Sequence, residues 1–411
     1  MDYTRIASSL QDIYKASQDS AFARDWTHSL YRYPASMSPS IARSLIKVIT
    51  EPGDIILDPF CGGGTTAIEA LVHGRRALCS DLNNLACFIT RSKASTVSKA
   101  GIKRLREWVF EIATPILHSR DIIPMPLITA DGTRYAPFTH GLLVKLREAT
   151  HEIHGTKIRQ LAQLIVLRTG QVCFDCREKP PSPHHLKRVF LKTAYETIEK
   201  VEIYSARCAE FKIANGHGQP LQVLCTDAEK ITQILGDKIE SISLVLTSPP
   251  YPGVHVLYHR WQFRGRKEIS LPYTIAGLEN GASESHYTLG SRQERENDTY
   301  FSRLLQIFTN LNNALTPGTP IAQVVAFSRP ETQLNKYLEG MRMAGFSEIK
   351  SLNKGKPIVQ RTIPNRRWYI RTGSIQSSMC EYLLLHCSSG AKMRNGFRGK
   401  VVGQTLKKEH L

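Results

Sequence analysis

Apolar runs of strand length alternate with amphipathic stretches at both ends of the chain, and the alternation fails in the middle. DIILD (54–58) and ALCSD (77–81) are short apolar runs closed by acids, and TTAIEALVHG (65–74) between them has a helical period. That order predicts a βαβ unit, and with it a parallel sheet. Ahead of it, PSIARSLIKVIT places apolar residues at helical spacing after a Ser-Pro start, so residues 1–50 read as helical. From about 95 to 215 the pattern is mainly helical, as in THGLLVKLREATHEIH and KIRQLAQLIVLRTG, with PPSPHH marking a boundary between helices. Strand signals return at LQVLCTD (221–227), ISLVLTS (242–248), IAQVVAFS (321–328) and EYLLLHC (381–387). The amphipathic segments YFSRLLQIFTNLNNAL and QLNKYLEGMRMAG lie between the later strands. The simplest plan is an α/β domain in two pieces, 1–94 and 220–390, split by a helical insertion at 95–219 and followed by a basic tail at 391–411.

Composition adds two constraints. A hydrophobic fraction of 41% in 411 residues is ordinary for a protein with a real core, and no apolar run is long enough to predict a membrane span. The N-terminus lacks a charged start followed by an apolar run, so a cytoplasmic location is expected. The net charge of +18 favours a polyanionic partner, because neutralising phosphates releases condensed counterions. A basic enzyme without a polymeric substrate is the alternative. The nine cysteines have no framework spacing and read as reduced thiols. Cys173 and Cys176 form a CxxC followed by His184 and His185, but no second pair stands at zinc-site spacing, so no metal is expected.

Two segments carry chemistry. In ILDPFCGGGTTAIEA (56–70) a buried strand ends at Asp58, turns through Gly62, Gly63 and Gly64 and enters a helix at Thr65. Glycines let a backbone approach a ligand closely, and strand carboxyl ends are where such sheets bind ligands. The spacing is neither GxGxxG nor GxxxxGK[ST], which argues against dinucleotide and P-loop sites. About twenty residues on, Asp81 ends the next strand and is placed to accept the hydroxyls of a ribose; capping the helix that follows is the competing role. In LVLTSPPY (244–251) a strand runs into two prolines flanked by Ser248 and Tyr251. Paired prolines hold their carbonyls rigidly and leave them free to accept. A hydroxyl and a carbonyl converging in this way suit an –NH2 group, and the ring of Tyr251 offers a flat base a stacking surface. A plain proline turn is the competing role.

Together, DPFCGGGTT and TSPPY on successive strand ends resemble the amino-methyltransferases of DNA, which modify adenine N6 or cytosine N4. The resemblance covers roughly 28–94 and 220–387, and HSLYRYPASMSPSIARSLI (28–46) is similar to the family's segment that closes over the methionine end of its cofactor. It implies a Rossmann-like fold and S-adenosyl-L-methionine as methyl donor. By position it implies that Asp58, Phe60, Gly62, Gly64 and Thr65 hold the methionine part, that Asp81 binds the ribose and that Asp227 contacts the adenine. It further implies that Ser248 and the carbonyl of Pro249, braced by Pro250, accept hydrogen bonds from the target amino group while Tyr251 stacks on the base. The usual first motif has Ser at Gly63, and adenine enzymes more often carry Asp or Asn at Ser248.

The SPPY spelling favours cytosine N4 over adenine N6 within that family. Double-stranded DNA is the expected partner, with the target base extruded into the pocket, and prokaryotic or viral origin with a restriction or defence system is the family default. The basic and aromatic stretch 254–273, with Arg260, Trp261, Arg264, Arg266 and Lys267, and the stretch 353–371, with Arg366 and Arg367, are candidate contacts to nucleic acid. The insertion is the candidate for target recognition. An RNA base amino-methyltransferase and a catalytically silent nucleic-acid binder remain as alternatives.

Overall fold

The computed structural model describes residues 25–33, 36–129, 131–211, 219–252, 261–265, 267–279, 298–327, 329–349, 358–362 and 380–389, with Ser9 and Leu289. The first piece runs α1 (Pro39–Ile49), β1 (Ile55–Asp58), α2 (Thr65–Val72), β2 (Arg76–Asp81) and α3 (Asn84–Lys93). The middle is helical, with α4 (Lys99–Glu107), α5 (Phe138–Ala149), α6 (Thr156–Phe174) and α7 (Pro183–Glu210) as its main elements. Then follow β3 (Leu221–Cys225), β4 (Ile242–Thr247), the short strands β5 (Trp261–Phe263) and β6 (Lys267–Ile269), and α8 (Leu271–Ala276). The last described elements are α9 (Asp298–Ala314), β7 (Pro320–Val325), α10 (Pro330–Met343), β8 (Phe346–Glu348), β9 (Ile358–Thr362) and β10 (Cys380–Ser388).

Eight of these strands form one sheet in the order β8-β10-β7-β4-β1-β2-β3, with β9 also paired to β10. From β7 to β3 all neighbours are parallel, whereas β10 runs antiparallel to β7, with Tyr382 opposite Val325. The chain steps outward from β1 to β2 and β3, then returns to the other side of β1 for β4. The order therefore reverses between β1 and β4, and a crevice opens there at the carboxyl ends of the strands. This is the expected α/β Rossmann-like architecture.

Both faces of the sheet are covered, which is why its strands read as nearly unbroken apolar runs. Alternate residues of β4 serve the two faces. Leu244 and Leu246 pack with Ile46 of α1 and Ile68 of α2, whereas Val245 packs with Ile307 of α9 and Tyr337 of α10. Helix α2 follows so closely on β1 because Gly64, at φ +80°, is its N-cap.

The helical middle builds a third core around α6, whose side chains are buried on every face at its centre, from Leu161 to Leu167. That core is not closed within 95–219. It takes in Leu85, Phe88 and Ile89 of α3, Leu30 and Tyr31 ahead of the sheet, and the segment Trp261–Ala276 beyond the proline turn. The last contribution corrects one expectation. Trp261, a candidate base contact, is 3% exposed, and its indole Nε1 donates to the Tyr31 hydroxyl at 3.0 Å. Strand periodicity is the reason: in Trp-Gln-Phe the first and third side chains share a face, and that face is turned inward. Phe263 fills the same core between the rings of Tyr135 and Phe174. Gly170 in α6 accommodates the indole, since a Cβ there would stand 2.9 Å from the Trp261 ring.

The polar residues of this hairpin do face outward. Arg264 sits at the turn, exposed, with its guanidinium 4.6 Å from the centre of the Tyr135 ring. Lys267 pairs with Asp131 at 2.8 Å. Arg260, Arg266, Arg366 and Arg367 lie outside the described residues. No described helix is long and apolar enough to cross a membrane.

A structural role for Trp261 has a measurable consequence. Trp261→Ala is expected to destabilise the protein by about 3–5 kcal/mol in urea unfolding, the usual result of emptying a buried aromatic site. An unchanged midpoint with weakened nucleic-acid binding would instead return the indole to the surface.

Candidate functional site

The crevice between β1 and β4 is walled by the two motifs. Asp58, Phe60, Gly62 and Thr65 come from the glycine turn, Asp81 from the end of β2, and Asp227 from the turn after β3. Ser248, Pro249, Pro250 and Tyr251 close the far side, and Tyr33, Ser36 and Met37 come from the segment ahead of α1. Sequence positions as far apart as 33 and 251 thus share one cavity. Gly64 is not on its wall; its Cβ would stand 2.9 Å from the Thr90 hydroxyl of α3, so glycine there serves the positive φ and the approach of α3.

Gly63 has a local explanation too. A Cβ there would lie 2.8 Å from Cβ of Tyr33 and 3.0 Å from Oγ of Ser36, so the segment ahead of α1 rests directly on the turn. From behind, Lys93 reaches through the protein to donate to the Gly63 carbonyl at 2.7 Å, and burial pushes its pKa down to about 7. Nothing in the sequence around Lys93 marked it, since it lies in an ordinary helical pattern thirty residues on.

The two carboxylates nearest the turn are held by hydrogen bonds alone. Asp58 is 2% exposed; its Oδ1 accepts from the Thr247 hydroxyl at 2.6 Å and from the Phe60 amide at 3.1 Å. Asp81 accepts from the Gly62 amide on Oδ2 and from the Asn83 amide on Oδ1, both at 2.9 Å. Burial pushes each up to about 6, against the pull of these donors. Neither makes a salt bridge among the described residues. Asp227 differs. Its Oδ1 accepts from the Glu229 amide, and its Oδ2 pairs with Arg303 of α9 at 2.8 Å. Arg303 belongs to neither motif and could not have been singled out from the pattern of α9.

In the proline turn, the Ser248 hydroxyl donates to the Val324 carbonyl of β7 at 2.8 Å. Its proton is thereby directed into the sheet, and its lone pairs remain for a donor arriving from the cavity. The Pro250 carbonyl accepts from the buried Tyr300 hydroxyl at 2.7 Å, while no hydrogen bond to the Pro249 carbonyl is found among the described residues. Tyr251 is 4% exposed, and its hydroxyl donates to Glu381 of β10 at 3.3 Å.

A cavity with two carboxylates lacking a cation is suited to a ligand that brings positive charge and hydroxyl donors. S-adenosyl-L-methionine has both, a sulfonium with an α-ammonium and a ribose diol, so the residues present fit that cofactor. Asp58, the glycine turn and Asp81 all line this cavity, and Phe60, Leu82 and Ala228 add apolar wall to it. The raised carboxyl groups set a sign for pH dependence. Both are ionised at pH 7.5 and increasingly protonated below 6, where they lose acceptor capacity. Cofactor affinity, measured by calorimetry, is expected to fall by up to about tenfold per pH unit below 6 for each group that must be ionised. Asp81→Asn is expected to bind weakly at both pH values and to flatten that profile.

Residues 8–91, which span the glycine turn and both strands that flank it, match the model of the DNA methylase family. The Type II methyltransferase M.MvaI of Kocuria varians is 30% identical over 84 residues, which is 20% of this chain and 18% of that protein. A tRNA (guanine(10)-N2)-dimethyltransferase of Methanothermobacter thermautotrophicus is 46% identical over 52 residues, 12% of this chain and 16% of that protein. The chain thus spans less than a fifth of the length of either relative. An rRNA methyltransferase of Streptomyces viridochromogenes superposes with a TM-score of 0.33 at 12% identity, over 76% of this chain and 85% of that one. Over residues 8–91 the chain is similar to the DNA methylase family and to a Type II methyltransferase, a similarity that implies S-adenosyl-L-methionine as methyl donor.

Proposed function

We infer that the protein transfers a methyl group from S-adenosyl-L-methionine to the exocyclic amino group of a base in DNA, with cytosine N4 as the preferred target. The observation that carries this reading is the arrangement of acceptors in the proline turn. The Ser248 hydroxyl points its proton at Val324, so its lone pairs and the Pro249 carbonyl are two acceptors on the wall that the cofactor site shares. A base amino group has two hydrogens to donate, and its lone pair is delocalised into the ring. Holding both hydrogens in directed bonds favours a pyramidal nitrogen whose lone pair is free to attack. The cofactor supplies an electrophilic methyl group on a sulfonium, so the remaining task of the protein is alignment. Effective molarities of about 10⁵ M or more are reached when two reactants are held in line.

Such a pocket takes a single base, and extruding one from a duplex costs a few kcal/mol, partly offset by stacking against Tyr251. The charge of +18 supports a nucleic-acid partner, and the exposed Arg264 is the described residue best placed to meet phosphate. Lys267, already paired with Asp131, is less available than its position in the sequence suggests. A base in RNA is the second reading, favoured by the 46% identity to a tRNA guanine-N2 enzyme over 52 residues.

The deciding experiment is incubation with S-adenosyl-L-methionine and unmethylated DNA, or tRNA in parallel, followed by digestion and mass spectrometry of the nucleosides. N4-methylcytosine is expected from DNA, and Ser248→Ala is expected to lower its rate about 100-fold or more with cofactor binding unchanged. N6-methyladenine would overturn the choice of base, and N2-methylguanosine from tRNA alone would overturn DNA as the substrate.

A further inference from the structure

β10 is antiparallel to β7, so its first residues lie beside the carboxyl ends of the parallel strands, at the level of the proline turn. Glu381 stands there, 3% exposed and absent from the cavity wall. Its Oε1 accepts from the Tyr251 hydroxyl at 3.3 Å, and that hydroxyl lies 3.2 Å from Oγ of Ser248. Ser248 in turn is 2.8 Å from the Val324 carbonyl. Four oxygens are thus joined by three links of 2.8–3.3 Å, while the two hydroxyls own only two protons. One link always lacks a proton, and rotating the Ser248 hydroxyl from Val324 toward Tyr251 moves the empty link to Val324. The Ser248–Tyr251 and Tyr251–Glu381 links then point the same way, from the cavity through Ser248 and Tyr251 to Glu381.

We propose that Ser248, Tyr251 and Glu381 form a proton relay that removes the proton released by the target amino group and stores it on Glu381. This inference rests on the reading of the site as an amino-methyltransferase. As the N–CH3 bond forms and the S–CH3 bond breaks, the sulfonium becomes a neutral thioether and the nitrogen must lose one proton. That proton passes to Oγ of Ser248, the Ser248 proton passes to the Tyr251 oxygen, and the Tyr251 proton passes to the Glu381 carboxylate. Atoms and charge balance: one sulfonium cation and one carboxylate anion become two neutral groups. Neutralising a carboxylate as buried as Glu381 is favourable, because charges are poorly screened there. Links of 3.2 and 3.3 Å are long for O–H···O bonds, as relay contacts often are before substrate aligns them. Glu381 touches neither substrate nor cofactor; it is a positioning residue that acts through Tyr251.

The test is single-turnover methyl transfer by the wild type, Glu381→Gln, Glu381→Ala and Tyr251→Phe, in H2O and D2O, with cofactor and nucleic-acid affinities measured separately. A glutamine side chain still accepts the Tyr251 hydrogen bond but takes no proton. The relay predicts that Glu381→Gln lowers the transfer rate about 100-fold, within the usual range for positioned proton transfer, while both affinities stay as in the wild type. It also predicts a solvent isotope effect in the wild type that Glu381→Gln loses, and a Glu381→Gln/Tyr251→Phe double variant no slower than either single one. If Glu381→Gln matches the wild type while Glu381→Ala fails, Glu381 only braces Tyr251 and the relay is overturned. A wild type that methylates neither DNA nor RNA overturns the relay together with the reading on which it rests.

Discussion

One hydrogen bond ties the functional half of the molecule together. The Thr247 hydroxyl at the end of β4 donates to Asp58 at the end of β1, across 189 positions of sequence, at 2.6 Å in a fully buried setting. β1 and β4 are the strands between which the sheet order reverses. Their parallel pairing places the glycine turn and the proline turn side by side on one cavity. Any slip between them would separate the two motifs and flip alternate side chains to the wrong face. The apolar layers on both faces of the sheet hold that register, and the bond itself keeps the Asp58 carboxylate aimed along the crevice.

The site has an unusual electrostatic balance for a chain of net charge +18. Among the described residues, Asp58 and Asp81 at the crevice have no cation of their own, while the third carboxylate, Asp227, is neutralised by Arg303. The unbalanced pair sits where a cationic cofactor would supply the missing charge, and the neutralised one sits where a neutral purine would lie. Excess positive charge on the outside and deficient positive charge inside thus suit the two ligands of a methyl transfer, a polyanion and a sulfonium.

The helical middle has its own logic. Its core is completed by α3 of the sheet domain and by the segment after the proline turn, so it is continuous with the elements that build the site. Burying Trp261 and Phe263 anchors the hairpin that begins at Trp261 in that core and leaves Arg264 at an exposed tip.

Six of the eight strands of the sheet, the glycine turn, the break at 95–215 and the SPPY turn were legible because each is a local signal: a run of apolar residues, a glycine cluster or a proline pair writes its conformation within a few positions. The facing of side chains was not. A mixed stretch such as WQFRGRK has the composition of a phosphate clamp, and only the packing of Trp261 against Gly170 and Tyr31 decides that its aromatic residues are core. Lys93, Arg303 and Glu381 carry no motif, and each reaches its partner across 30, 76 and 130 positions respectively. The sequence by itself determined the elements and the chemistry at two strand ends. The tertiary structure decided which further groups meet that chemistry, because neighbours in a sheet with a reversed order come from distant stretches, and no local pattern records which of their side chains will face each other.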